Sequence, residues 1–421
     1  MDQMPQPASP DDSGFRAFRS FRSPPYRFFL PGSLFQFSAL SMQIVTGPLF
    51  MYRLTGSTAA LGVMALITSL PMIFVSMYGG VIADRFSKKK IIILGTLGSA
   101  VISTVFALLV VQGVVVADNP WSRWMLIAAM LLLSTFMGIM MPSLQAIVAE
   151  IVPREMLMNG VALNTMGMNV LALVGPAVAG VLIDNVGFHA VYFAMTGVFI
   201  CSALLMLGVR VITTPRPAAP SRQRIWHEVG QGFSYMWRNP VLAVLLGFSL
   251  LATVLSMPYQ QLLPVFVDDI LHVGATGAGV LMSVSGAGAL IGSVSLTMLP
   301  NKKRGLMLIL SGVVSGAALI GFSFSAVWGF SLAMMAFLGI GQTFRMTVGS
   351  TLLQINAEPE YRGRVMSIFG MQWGLMGLVT FVAGVAAERF PVQVILGTLA
   401  GLLVLASVLA ILRVPLLRKL D

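Results

Sequence analysis

Charged side chains are scarce in this 421-residue chain: Asp, Glu, Lys and Arg make up 10% of it, against about 25% in a soluble globular domain. That scarcity argues against a water-soluble fold. Cysteine occurs once, at Cys201, so no intrachain disulfide forms, and the thiol reads as a buried apolar filler. The three histidines, His189, His227 and His272, fall in polar connections and read as solvated. The sequence has no phosphate-cradling GxxxxGK[ST] loop, no ligand cluster at metal-site spacing and no nucleophile with a base beside it. No enzymatic activity, metal or cofactor is therefore expected, nor ATP-driven work by this chain alone.

What is abundant is apolar length. Hydrophobic residues make up 57% of the chain. Runs of about 20 follow one another from Phe28 to Leu412, each long enough to cross a ~30 Å hydrocarbon core as a helix. Backbone groups in lipid must be satisfied within the segment, and the ~10-residue alternation of a membrane barrel is missing. The expected fold class is an all-α membrane protein. Its twelve predicted spans are 28–52, 58–83, 91–116, 124–147, 158–183, 188–210, 241–267, 275–299, 306–326, 329–353, 363–388 and 391–413.

The 26 Lys and Arg are spread unevenly over the connections. Arg53, Arg123 and Arg389 fall on one side and Arg345 within a span; the other 22 share a side with both termini. Basic residues are retained in the cytoplasm, so both termini are expected there, on the inner side of a cytoplasmic membrane. The same bias, with anionic headgroups as its contact, accounts for the net charge of +11. No basic-aromatic module points to nucleic acid.

Residues 1–26 read as a disordered basic segment with an interfacial FRAFRSFRS stretch, not as a secretory signal, because no short apolar core precedes a cleavage site. Two six-span units are expected at 27–210 and 241–413, with a tail at 414–421. The interval 211–240 begins as a linker and then places Trp226, Phe233 and Trp237 where a helix could lie on the membrane surface. The units echo each other in order. VAGVLIDNVG (178–187) matches VAGVAAERFP (382–391), VPREMLMNG (152–160) parallels EPEYRGRVM (358–366), TGSTAALGVM (55–64) parallels GATGAGVLM (274–282), and KKK (88–90) parallels KKR (302–304). Duplicated units of this kind place a transport site at their interface, near the midplane.

GVIADRFSKKK (80–90), between spans two and three, resembles the G-x-x-x-D-R-x-G-R-R loop of the major facilitator superfamily. Gly80, Asp84, Arg85, Lys88 and Lys89 match in kind, while Ser87 replaces the second Gly. LVGPAVAGVL (173–182) is similar to that superfamily's antiporter signature at Gly175, Pro176 and Gly180, with Leu171 and Ala179 departing from it. LPVFVDDILHVGATGAGVL (263–281), VPREMLMNGVALN (152–164) and RGRVMSIFG (362–370) resemble the enterobactin-exporter and macrolide-efflux branch. The resemblance implies two pseudo-symmetric six-helix bundles that rock about a central cavity. It also implies a gating latch in which Asp84 faces the start of span eleven, around Gly363. An acid there can accept from free helix N–H groups, a role that topology alone does not require.

Polar residues within spans are the candidate cavity lining: Gln36, Met42 and Gln43 in span one, Asn164 and Asn169 in span five, and Gln260 and Gln261 in span seven. Gln342 and Arg345 in span ten and Gln372 and Trp373 in span eleven complete the set. A central Arg costs about 2.5–3.5 kcal/mol on insertion scales, so Arg345 is expected to meet an aqueous cavity or a partner. No span carries an acid near its centre; where related exporters often have one in span one, this chain has Leu40. Glu150 and Asp184, at span ends, are the candidates for proton coupling. The expected task is export of amphipathic small molecules, drug-like or siderophore-like, by a monomer working through proton antiport in a lipid bilayer. The alternatives are an importer, facilitator or lysophospholipid-type lipid transporter of the same fold, and a non-transporting membrane sensor or scaffold. If Asp84 is a latch, Asp84→Asn lowers transport while membrane levels hold; unchanged transport at equal levels would remove the assignment.

Overall fold

The computed structural model describes residues 20–85, 87–210, 233–299, 302–418 and 420. Twelve long helices follow: α1 (Pro24–Thr55), α2 (Thr58–Arg85), α3 (Lys88–Val111), α4 (Ser122–Ile151), α5 (Leu157–Asn185) and α6 (Phe188–Gly208), then α7 (Pro240–Ile270), α8 (Gly274–Met298), α9 (Arg304–Ser323), α10 (Trp328–Asn356), α11 (Arg362–Ala386) and α12 (Val392–Arg413). Ten are long and apolar enough to cross a membrane; α2 and α10, of 28 and 29 residues, complete the set. Each predicted span has its helix, with ends shifted by a few residues.

Local chemistry sets the boundaries. Proline opens α1, and Gly56 closes it in a left-handed conformation (φ 60°), its N–H returning to the Tyr52 carbonyl at 2.7 Å. Asn239 caps α7, accepting from the N–H groups of Val241 and Leu242, with Pro240 at the first helical position. Pro258 and Pro264 break α7 into Pro240–Ser256, Tyr259–Val265 and a π-helical Phe266–Ile270. α11 is interrupted at Met371.

Helix packing repeats with the sequence. α1 lies against α5 and α6, α4 against α2 and α3, and α3 against α6; α7 lies against α11 and α12, α10 against α8 and α9, and α9 against α12. Two main contacts join the sets, α5 with α8 and α2 with α11, and α1 also meets α7. At the end of the bundle bearing Asp184, Asp268 and Glu388, here the acidic end, apolar side chains from both sets form one core, including Leu49, Leu61, Ala179, Leu262, Leu281 and Ala383. At the opposite, basic end the described residues form two separate cores, one around Tyr26, Met140 and Ile147, the other around Leu242, Leu308 and Leu352. The molecule is joined at one end and divided at the other.

The joining contacts depend on missing side chains. A Cβ on Gly180 of α5 would strike the Ala275 carbonyl of α8, and one on Gly279 would strike the Pro176 carbonyl. Across α2 and α11, a Cβ on Gly62 would lie 2.9 Å from the Phe381 carbonyl, and one on Gly384 would lie 2.5 Å from that of Thr58. Helices in lipid associate by such close backbone packing.

Three expectations change or fall outside these residues. Cys201 is exposed on α6, not buried, because the bundle's perimeter serves as a face for acyl chains. Phe233 and Trp237 do sit in a helical turn, with Trp237 83% exposed, whereas Trp226 and the rest of the linker lie outside the described residues, as does the basic segment up to residue 19. Gly80, Asp84 and Arg85 belong to the last turns of α2, but their side chains lie outside the described set. Overpacking costs about 1–3 kcal/mol, so Gly279→Val is expected to lower the melting temperature of the detergent-solubilised protein. Gly197→Ala, where a new Cβ meets nothing within 4 Å, serves as the neutral control; equal melting of the two would contradict a tight α5–α8 contact.

Candidate functional site

Arg345 is the bulkiest of the fully buried side chains among the described residues, at 1% exposure. It extends from α10 to α7, where Nη1 donates to the Thr253 hydroxyl. Thr253 in turn donates to Gln372 Oε1 on α11 at 2.7 Å. Three helices thus meet at one polar node. The guanidinium is far from satisfied, because Nε and Nη2 have no partner and no described carboxylate pairs with it. Of the two surroundings expected for Arg345, water or a partner, this conformation supplies a partner. Thr253 escaped the sequence reading because a helical Thr ordinarily bonds its own backbone.

The other candidates divide into small groups. Gln36 is buried, its Nε2 on Met140 Sδ at 3.2 Å and its Oε1 unpaired; Gln43 Nε2 donates to Met130 Sδ at 3.4 Å, beside buried Met42. Both Gln therefore face methionines of α4. Asn164 accepts from Ser33 at 2.8 Å, which ties α5 to α1, and Asn169 is half-buried on α5. Gln260 donates to buried Tyr259 at 3.5 Å, while Gln261 Oε1 and Gln342 Nε2 have no partner. Trp373, next to Gln372, is 44% exposed and outside the node. Where Val45 and Leu49 of α1 approach Gln260 and Leu263 of α7, a void of only about 10 Å³ remains, so these two helices pack closely there.

The acidic end is closed by polar groups from both sets. Asp184, at the end of α5, accepts from the N–H groups of Ala275 (3.1 Å) and Thr276 (2.7 Å) at the start of α8. Glu388, just past α11, accepts from the Ala59 N–H (2.9 Å) and the Ser57 hydroxyl (2.5 Å) at the start of α2. Each acid satisfies orphan donors and favours the positive dipole end of a helix from the other set. Arg53 of α1 grips Asp268 of α7 through two 3.0 Å bonds, with Asp184 4.0 Å away, and Tyr52 bonds Asp269. These groups are partly exposed, so each contact contributes no more than about 1 kcal/mol. The closure is therefore many-stranded and reversible.

At the basic end Glu150 of α4 pairs with Lys88 of α3, and Lys89 bonds the Leu207 carbonyl of α6 at 2.7 Å. The proton-coupling candidates thus occupy two structural roles, an ion pair within the first set for Glu150 and a helix cap between sets for Asp184. The antiporter-like residues Gly175, Pro176 and Gly180 all line the inner faces of α5: Gly175 against Ser41 of α1, Pro176 and Gly180 against α8.

The Ala59 N–H, then the Ser57 hydroxyl, hold the Glu388 carboxyl below its ordinary value of 4.5. The ionised acid makes the cap, so its contribution to closure is full above that value and is lost as pH falls through the lowered one. Acidification should therefore separate the acidic ends of α2 and α11, seen as a longer distance between spin labels there. Glu388→Gln should remove the pH step; a step that survives in this variant would assign the titration elsewhere.

Comparison with known proteins agrees with this architecture. The sequence profile of the Major Facilitator Superfamily matches residues 29–380. Enterobactin exporter EntS of Shigella boydii is 26% identical over 375 residues, covering 85% of this chain and 86% of that protein. The Citrobacter koseri exporter of the same name is 26% identical over 383 residues, with 87% and 88% covered. Among solved structures, a POT family transporter in complex with a thioalcohol-conjugated peptide superposes with a TM-score of 0.75 at 12% identity, over 94% of this chain and 96% of the other. The nucleoside transporter NupG gives 0.68 at 16% identity, over 92% and 98%. The match spans α1 to most of α11 and includes Asp184 and the Arg345 node: this chain belongs to the Major Facilitator Superfamily.

Proposed function

We propose that this transporter exports amphipathic small molecules from the cytoplasm by alternating access, driven by proton antiport. The observation that carries the reading is the asymmetry of the bundle: one shared, acid-capped core at the acidic end and two separate cores at the basic end. With the basic end in the cytoplasm, as the distribution of Lys and Arg favours, this is the conformation that loads substrate from inside. Two six-helix units, 27–210 and 241–413, would rock about the α5–α8 and α2–α11 contacts, and breaking the outer caps would release the substrate. Similarity to enterobactin exporters over 85–88% of both chains supports the outward direction.

The node and the methionines describe the cargo. Met130, Met137 and Met140, beside Gln36 and Gln43, offer an adaptable apolar wall. Arg345, with two N–H-bearing nitrogens unpaired, suits a substrate with an acidic or strongly accepting group. Protons are assigned to the acids at the two ends, Glu150 and Asp184, because the spans lack a central one.

Proteoliposomes loaded with a panel of lipophilic fluorophores test this with and without an imposed pH gradient. Gradient-dependent movement is expected. Arg345→Gln should weaken transport of anionic fluorophores by about tenfold while sparing cationic ones, the size of one lost charge-assisted hydrogen bond. Movement indifferent to the gradient would replace antiport with facilitation, and equal losses for both classes of fluorophore would reduce Arg345 to a packing role.

A further inference from the structure

The basic end holds a second candidate site, away from the path between the two helix sets. α8 and α9 both pack along α10, and between their facing ends lies a cavity of about 300 Å³. Arg304, Thr297, Thr347 and Thr351 supply its polar lining, and Leu296 and Met307 part of its apolar one. At ~30 Å³ per water this is room for about ten waters, enough for a phosphodiester with its glycerol.

The internal repeat provides a control for reading it. KKK (88–90) opens α3 as KKR (302–304) opens α9. In the first copy the charge is neutralised: Lys88 is 8% exposed and pairs with Glu150 of α4. The register that matches Pro153 with Pro359 sets Asn356 of α10 where Glu150 stands in α4. Asn356 turns its amide to the Leu352 carbonyl at 2.9 Å and carries no charge. Among the described residues no carboxylate pairs with Arg304. In that alignment Lys302 stands for Lys88 and Arg304 for Lys90, so the second copy lacks the acid of the first, and a cavity opens beside Arg304. Exposed Lys302 adds to the positive field.

We propose that this groove binds one anionic phospholipid of the adjoining leaflet. The phosphodiester sits against the Arg304 guanidinium, which can give two parallel N–H bonds to it, with threonine hydroxyls as further donors. The first acyl carbons run along Leu296 and Met307. Basic pockets between membrane helices take anionic headgroups on these terms. A free phosphate would satisfy the polar lining but leave the apolar part wet, so the lipid is the better fit. The site is independent of transport direction, and because α8 also contacts α5, its occupant would brace one of the two helices at that junction.

The test uses the full-length protein in nanodiscs of phosphatidylcholine alone or with phosphatidylglycerol. Native mass spectrometry counts retained phosphatidylglycerol, and thermal melting reports the stabilisation. The wild type should retain the anionic lipid and melt higher with it. Arg304→Gln should bind it about five- to tenfold more weakly, the size of one basic contact near a headgroup. Met307→Trp, which fills the groove and leaves every charge in place, should weaken it as well. Arg389→Gln, at the acidic end, should not. Wild-type retention in both groove variants would overturn the proposal. So would inorganic phosphate that reproduces the full stabilisation in phosphatidylcholine alone, since the ligand would then be a free anion.

Discussion

The contact between a carboxylate and the first turn of a helix in the opposite set is the interaction on which the rest of this architecture depends. It occurs twice. Asp184 closes α5 onto α8, and Glu388 closes α11 onto α2. Behind each acid lies a glycine, Gly180 or Gly384, that lets the two backbones touch. The pairs stand at equivalent places of the sequence repeat, VAGVLIDNVG and VAGVAAERFP. Glycine contact and acid cap together make a junction that is dry along its length and polar at its rim. A dry junction alone would be hard to open in lipid, and a polar rim alone would not hold. The combination gives a joint that closes firmly and reopens for a few kcal/mol.

Energetics at the centre run the other way. Arg345 is buried with two of its nitrogens unpaired, and a lone buried charge costs several kcal/mol. The outer caps and the shared core carry that cost in this conformation. When the bundle rearranges, hydration or an anionic guest can satisfy the guanidinium. On the function proposed above, the node is where an anionic substrate would act on the balance between conformations.

Much of this was legible in the sequence. Apolar length and the asymmetry of Lys and Arg located all twelve helices, since bilayer thickness and backbone satisfaction leave little freedom. The repeat was visible too, and it already aligned Asp184 with Glu388. What it did not convey was that both acids serve as caps; Asp184 read as a proton carrier because an acid at a span end has several uses and only the position of α8 selects one. Thr253 carried no signal at all, being one hydroxyl among many. Glu150 and Lys88 lie 62 residues apart, and their pairing follows from how α3 crosses α4, which periodicity does not specify. Cys201 was misjudged because thiols favour interiors in water, and in a bilayer the perimeter is equally apolar.

The position of Arg345 also bears on how the chain is made. α10 is not among the ten helices whose composition alone suits a membrane span, and its middle holds Gln342 and Arg345. Such a segment partitions poorly by itself as it leaves the ribosome. Thr253 is already in place by then, on a helix synthesised earlier, but Gln372 is not, because α11 emerges later. Burial of Arg345 in α10 is therefore tied to polar partners on both sides of it in the chain, Thr253 before it and Gln372 after it.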